Sequence, residues 1–177
     1  NNITKMVKLL DSPNIKTIVI IGKYTELSDS YISITRAIEH ASLKNNCRVK
    51  IEWISSEIFD NINNNIPELE LIKNANGVII PGGFGLRGVE GMINIAKYCR
   101  INQIPLLGIC LGMHVICLEA ARNILGMGCH STEFDSQTKN PIIKSIAELS
   151  QDKLGGTMKL GLKETQINKK NSVYQTS

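Results

Sequence analysis

Gly108, Cys110 and Gly112 form the stretch of this chain whose residue types and spacing best fit covalent chemistry. The apolar run at 104–109 reads as a buried strand, and a helical pattern starts directly after it. A cysteine falls on the join, with glycine two residues to either side. That is the spacing of a nucleophile elbow, with cysteine in place of serine. The glycines let the backbone turn sharply without a Cβ clash. Such a turn lifts the sulfur above the strand end and leaves it at the N-terminus of a helix. The unpaired N–H groups and dipole there favour negative charge and can hold an oxyanion. The chemistry predicted is thiol acyl transfer. Most free cysteines are small core hydrophobes. Of Cys47, Cys99, Cys110, Cys117 and Cys129, only Cys110 carries this bracket.

A succession of strands and helices must hold that turn. The β-branched run at 17–21 predicts a first strand, closed by Gly22, Lys23 and Tyr24. Ser28 or Asp29 is expected to cap the next helix, whose apolar positions are Tyr31, Ile34, Ile38 and Ala41. Residues 47–54 alternate, with Val49, Ile51 and Trp53 against Lys50 and Glu52, as in an edge strand. A polar break at 61–65 precedes a short helix at 67–74 and a third strand at 78–80. Val89, Met92, Ile93, Ala96 and Cys99 mark the next helix. The elbow strand and its helix follow, with Gly126 as C-cap. This alternation predicts an α/β fold with an open, mostly parallel sheet and helices on both faces. Beyond Gly126 a short helix at 142–149 and a strand at 157–160 are expected. The domain reading is a linker or lead-in strand at 1–16, one domain at 17–162 and a loose polar tail at 163–177.

A second glycine cluster, Gly83-Phe84-Gly85-Leu86-Arg87-Gly88, matches G-x-G-x-x-G between a strand and a helix. A dinucleotide fingerprint needs an acid on the ribose at the end of the following strand. None occurs between Gly91 and Leu118, and Cys110 occupies that strand end. The better reading pairs the loop with Cys110, both at carboxyl ends of parallel strands, where open α/β sheets bind ligands. A backbone N–H of the loop and that of Leu111 would make a two-donor oxyanion hole. The nucleophile also needs a base. His40 reads as a surface residue near a helix end, and His130 as a solvated loop residue. His114 lies one turn beyond Cys110 and lines the pocket rather than serving as the base.

Composition sets the outer bounds. A chain of 177 residues suffices for one domain with a sizeable core. The net charge of +4 is scattered, without the basic stripe that nucleic-acid binding requires. Five cysteines without C-x-x-C spacing argue against a disulfide framework and a zinc site, and for a reducing cytoplasm. The stretch at 104–118 is too short and too broken to span a bilayer, and no signal peptide is visible.

GKYTELSDSY at 22–31, PGGFGLRGVEG at 81–91, GICLGM at 108–113, STEF at 131–134 and GGTMKLG at 155–161 occur in this order. Together they resemble the glutaminase domain of the CTP synthase family, from about residue 18 to residue 161. The elbow alone is shared by all class I glutamine amidotransferases. The resemblance implies hydrolysis of glutamine through a thioester on Cys110. The ammonia would pass to a separate synthetase domain that aminates UTP to CTP with ATP and Mg²⁺, with GTP as allosteric activator. It implies no cofactor or metal on this domain, and a homotetrameric parent protein. By the same resemblance Gly83 and Leu111 hold the substrate carbonyl. Gly112, Met113 and His114 line the glutamine site, and Glu133 holds the glutamine amino group.

Three departures shape the expectations. The family has glutamine where this chain has His114; an imidazole can still donate one hydrogen bond but differs in shape. The family's arginine-rich RHRHRYE block, and the later histidine and glutamate of its triad, are absent. So is the synthetase domain. The fragment is therefore expected to be inactive alone. The alternatives are a non-catalytic regulatory or assembly module of the same family and, outside it, a nucleotide-binding domain.

Overall fold

The structure is a computed structural model that describes residues 13–25, 28–62, 65–144 and 161–162. It divides into two compact units, Asn1–Ser145 and Ile146–Ser177. Only residues 161–162 of the second are described, so the expected strand at 157–160 and the tail at 163–177 lie outside the description.

The first unit is built on a parallel sheet. Its strands are β1 (Ile15–Gly22), β2 (Arg48–Ser55), β3 (Gly77–Ile80) and β4 (Leu106–Gly108), in the order β2-β1-β3-β4. All three pairings are parallel, with Val19 beside Val78 and Ile79 beside Leu107. The helices are α1 (Ile32–Lys44), α2 (Glu68–Lys73), α3 (Val89–Ile101) and α4 (Leu111–Asn123). A short pair, β5 (His130–Ser131) and β6 (Pro141–Ile143), follows. The α/β class, the edge position of β2 and the short helix at 67–74 agree with the sequence reading.

The two faces of the sheet differ in cover. Val19, Ile21, Ile54 and Val78 point to one face and pack with Leu69, Ile72, Ile95 and Cys99. Ile80 extends that layer into a second cluster with Met92, Ile93, Leu111, Val115 and Leu118, which ties α3 to α4. Burying a side chain of this size contributes ~1.5–3 kcal/mol, so this face supplies most of the stability. Among the described residues the other face is covered more thinly, by α1, which buries none of its own residues, and by Tyr31, whose ring stacks on Trp53. A cleft of about 540 Å³ remains beneath α1 at the amino ends of the strands, lined by Ile18, Ile38, Ala41 and Val49 among others.

Several expectations are corrected. The helix after β1 is not capped by Ser28 or Asp29. Residues Ser28–Tyr31 form a 3₁₀ turn, and Tyr31 precedes α1 without a side-chain cap. The elbow strand is not buried, because β4 is an edge of the described sheet and Leu107 is 55% exposed on the thinly covered face. Helix α4 ends at Asn123. Gly126, at φ +66°, lies beyond it, in a turn where the Met127 N–H donates to Ala121 O. Residues 141–143 form β6 where a helix was expected to begin. Strand pairing with β5 there overrides a helical pattern only a few residues long.

Candidate active site

Strand β4 ends at Gly108, and α4 begins at Leu111. Cys110 is the join. It is exposed and sits at φ +54°, ψ −108°, a left-handed backbone conformation that a residue with a Cβ adopts only under strain. Close packing enforces this. The Ile109 N–H donates to Ile80 O at 2.9 Å, carrying the β3–β4 ladder one residue past the strand. A Cβ on Gly112 would overlap Ile80 O, and one on Gly108 would overlap the backbone of Gly112. Both glycines of the bracket are therefore required by contact, and the strand-to-helix elbow read from the sequence is present.

The glycine loop after β3 lies against this elbow. A Cβ built on Gly82 would stand 3.5 Å from Cys110 Cβ. One on Gly83 would stand 3.2 Å from Leu111 Cδ2 and 3.4 Å from Lys23 Cδ. Leu111 and Gly112 are buried in the first turn of α4, whereas the Met113 side chain is exposed. No hydrogen bond joins Cys110 to a histidine among the described residues.

Residues 130–134 approach from β5. Buried Ser131 shapes this stretch: its Oγ accepts the Glu133 N–H at 3.2 Å and its carbonyl accepts the Phe134 N–H at 3.1 Å. Glu133 Oε2 comes within 4.0 Å of His114 Nδ1, a buried atom without a hydrogen-bond partner. His114 and Glu133 thus meet beside the elbow. His130 is not a solvated loop residue. It is half-buried, its Nδ1 accepts the Ser131 N–H, its ring meets Phe134 edge-on, and its Nε2 is 3.9 Å from Glu90. His40 is an exposed residue of α1, as expected.

Lys23 was missed by the sequence reading, which took it only as part of the turn closing β1. It is 4% exposed. Its Nζ donates to Phe84 O at 3.0 Å and to Gly85 O. Burial lowers its pKa from the ordinary lysine value; the Glu133 carboxylate opposes that shift, Arg87 adds to it, and Glu57 opposes it. Arg87 donates to Lys23 O at 2.9 Å and pairs with Glu57. The Tyr31 hydroxyl accepts the Lys23 N–H at 3.2 Å. A signal was available: a lysine directly after a buried apolar strand sits at the carboxyl end of a parallel sheet, where sites form.

All five cysteines are free, and burial separates them. Desolvation pushes the Cys99 thiol up to about 12, so it is an inert core group. Cys110 instead lies open at the strand exit. Among the described residues no group of three or more His, Cys, Asp or Glu could hold a metal ion, and no helix is long and apolar enough to cross a membrane.

A parallel sheet whose strand exits into a strained cysteine elbow has the geometry of a thiol acyl-transfer site. The sequence profile of the family described as Glutamine amidotransferase class-I matches residues 26–177, and the chain belongs to that family. Its curated relatives include the CTP synthases of Schizosaccharomyces pombe and Pyrococcus abyssi. The first is 45% identical over 156 residues, covering 84% of this chain and 26% of the relative. The second is 46% identical over 160 residues, covering 89% and 29%. A solved structure of the Trypanosoma brucei CTPS glutaminase domain with bound acivicin superposes with a TM-score of 0.65. It is 32% identical, covering 73% of this chain and 49% of that one. The chain thus spans under a third of the curated relatives' length, and what it matches is their glutaminase part.

Proposed function

We propose that this chain is the glutaminase part of a CTP synthase, with Cys110 as its nucleophile. The Cys110 sulfur attacks the side-chain carboxamide carbon of glutamine. The N–H groups of Gly83 and Leu111 hold the resulting oxyanion. Collapse of the tetrahedral adduct breaks the C–N bond, ammonia leaves with the thiol's proton, and a thioester remains on Cys110. Water then hydrolyses the thioester to glutamate and restores the thiol. Gly112, Met113 and His114 line the glutamine site, and Glu133 receives the substrate's amino group. The observation that carries this reading is the exposed Cys110 at φ +54° against the Gly82–Gly83 turn.

The remaining assignments follow from the family. The domain runs over 17–162, after a linker and before a polar tail. Ammonia passes to a synthetase domain that aminates UTP to CTP with ATP and Mg²⁺; GTP activates, and the intact protein is a cytoplasmic homo-oligomer. The family's RHRHRYE block and its triad histidine and glutamate have no counterpart in this sequence, and on that ground we propose that another segment supplies the base for Cys110. The chain alone is then inactive as a glutaminase.

The test uses the intact protein and a chloroketone analogue of glutamine. Mass spectrometry should find the label on Cys110. In Cys110→Ala, glutamine-driven CTP formation should vanish while ammonia-driven formation persists. Equal loss of both would contradict the reading. Ammonia-driven activity with no glutamine response and no labelling in the unmodified protein would favour the non-catalytic module.

A further inference from the structure

The fold buries Lys23 without a carboxylate at ion-pair distance among the described residues. A buried cation is costly unless oxygen atoms surround it. Here those oxygens are the carbonyls of Phe84 and Gly85. The lysine stem lies against the same loop, its Cδ and Cε 3.4 and 3.6 Å from the place a Gly83 Cβ would take. The loop therefore closes round the side chain, with Gly82 on its far side against Cys110. Arg87 completes a clasp by donating back to the Lys23 carbonyl while it pairs with Glu57.

We propose that Lys23 is a positioning residue, whose ammonium holds the Phe84 and Gly85 carbonyls and so fixes the face that the Gly82–Gly83 turn presents to Cys110. The C=O and N–H of a trans peptide point in opposite directions. Tying two successive carbonyls to one ammonium therefore sets the orientation of both peptide planes. The Gly83 N–H lies in an earlier peptide, so Lys23 restrains it through this anchored segment and through the packing of its own stem against Gly83. The inference rests on the reading of Cys110 as the nucleophile and adds the residue that positions the loop donor of its oxyanion hole.

Lys23→Met in the intact protein keeps the stem and removes the donor. Phe84 and Gly85 are exposed, so water can take over their carbonyls and the variant should fold. Two reagents read the effect at Cys110 by mass spectrometry. The chloroketone analogue of glutamine needs the carbonyl site, and iodoacetamide needs only an accessible sulfur. Loss of one oxyanion donor costs about a hundred- to a thousandfold. Misaiming it should slow the chloroketone about tenfold to a hundredfold, with the iodoacetamide rate within about twofold of the unmodified protein. Lys23→Arg, which keeps a cationic donor, should recover part of the chloroketone rate.

Unchanged chloroketone labelling in folded Lys23→Met would overturn the proposal, as would equal slowing of both reagents. Lys23→Gln is the second variant; failure of both it and Lys23→Met to fold would assign Lys23 to the fold and also overturn the proposal. No chloroketone labelling of the unmodified protein would instead remove the Cys110 reading on which the inference stands.

Discussion

Helices α3 and α4 are each entered through a residue of positive φ, Gly88 at +66° and Cys110 at +54°. At the first junction the residue is a glycine, for which that conformation carries no Cβ penalty. At the second it is the cysteine itself, held there at a cost of ~1–3 kcal/mol. The support differs as well. The α4 elbow is enforced locally, by Gly108, Gly112 and the backbone of Ile80. The loop before α3 is tied by side chains from far along the chain, Lys23 to its carbonyls and Glu57 to Arg87, and Asp60 accepts the Gly91 N–H in the first turn of α3. Strain is concentrated at the proposed nucleophile, whereas the glycine loop is held without strain by side chains from other elements.

The largest test of that contrast is Gly112→Ala. Alanine gains ~1 kcal/mol over glycine in a helix. Its Cβ would overlap the carbonyl oxygen of Ile80, which belongs to the sheet and cannot swing aside. The clash should win, with a net loss of more than ~3 kcal/mol in urea unfolding. A loss under ~1 kcal/mol would show that the elbow can relax and is not enforced by contact.

Next in size is Cys110→Gly against Cys110→Ala. Both remove the sulfur, and only glycine removes the backbone strain. The glycine variant should be more stable than the alanine variant by ~1–2 kcal/mol. That sign is the reverse of the usual penalty for glycine. Equal stabilities would mean that the left-handed conformation costs nothing here and that no strain is stored under the nucleophile.

The same contrast explains what the sequence could reveal. The elbow was legible because its cysteine and both bracketing glycines lie within five residues, from Gly108 to Gly112, although the Ile80 carbonyl that Gly112 must clear lies on β3. The parallel order was legible because apolar runs such as 78–80 alternate with helical patterns. The clasp on the glycine loop was not, since the partners of Lys23 lie 61 and 62 positions away and a lysine after a strand reads as a solvent-facing turn. The exposure of Leu107 was hidden for a related reason: hydrophobicity marks β4 as a strand but does not say which strands become edges. Likewise, nothing in the polar stretch around His130 announces that Glu90 and Phe134 will enclose it.

The finest test lies at the elbow's outer rim, at His114, where the resemblance to the family implies glutamine. The imidazole Nδ1 is buried, lacks a hydrogen bond and stops 4.0 Å short of Glu133. A buried polar atom without a partner typically costs ~1–3 kcal/mol. In His114→Gln a flexible amide can place a donor on Glu133 or on the substrate. If His114 lines the glutamine site, the KM for glutamine should fall about two- to fivefold, at most ~1 kcal/mol, with ammonia-driven turnover unchanged. An unchanged KM would remove His114 from the substrate contacts. A fall in ammonia-driven turnover would show that the substitution disturbs more than the rim. Because the expected effect is small, it is informative only after the two larger tests have established that the elbow beneath it is rigid.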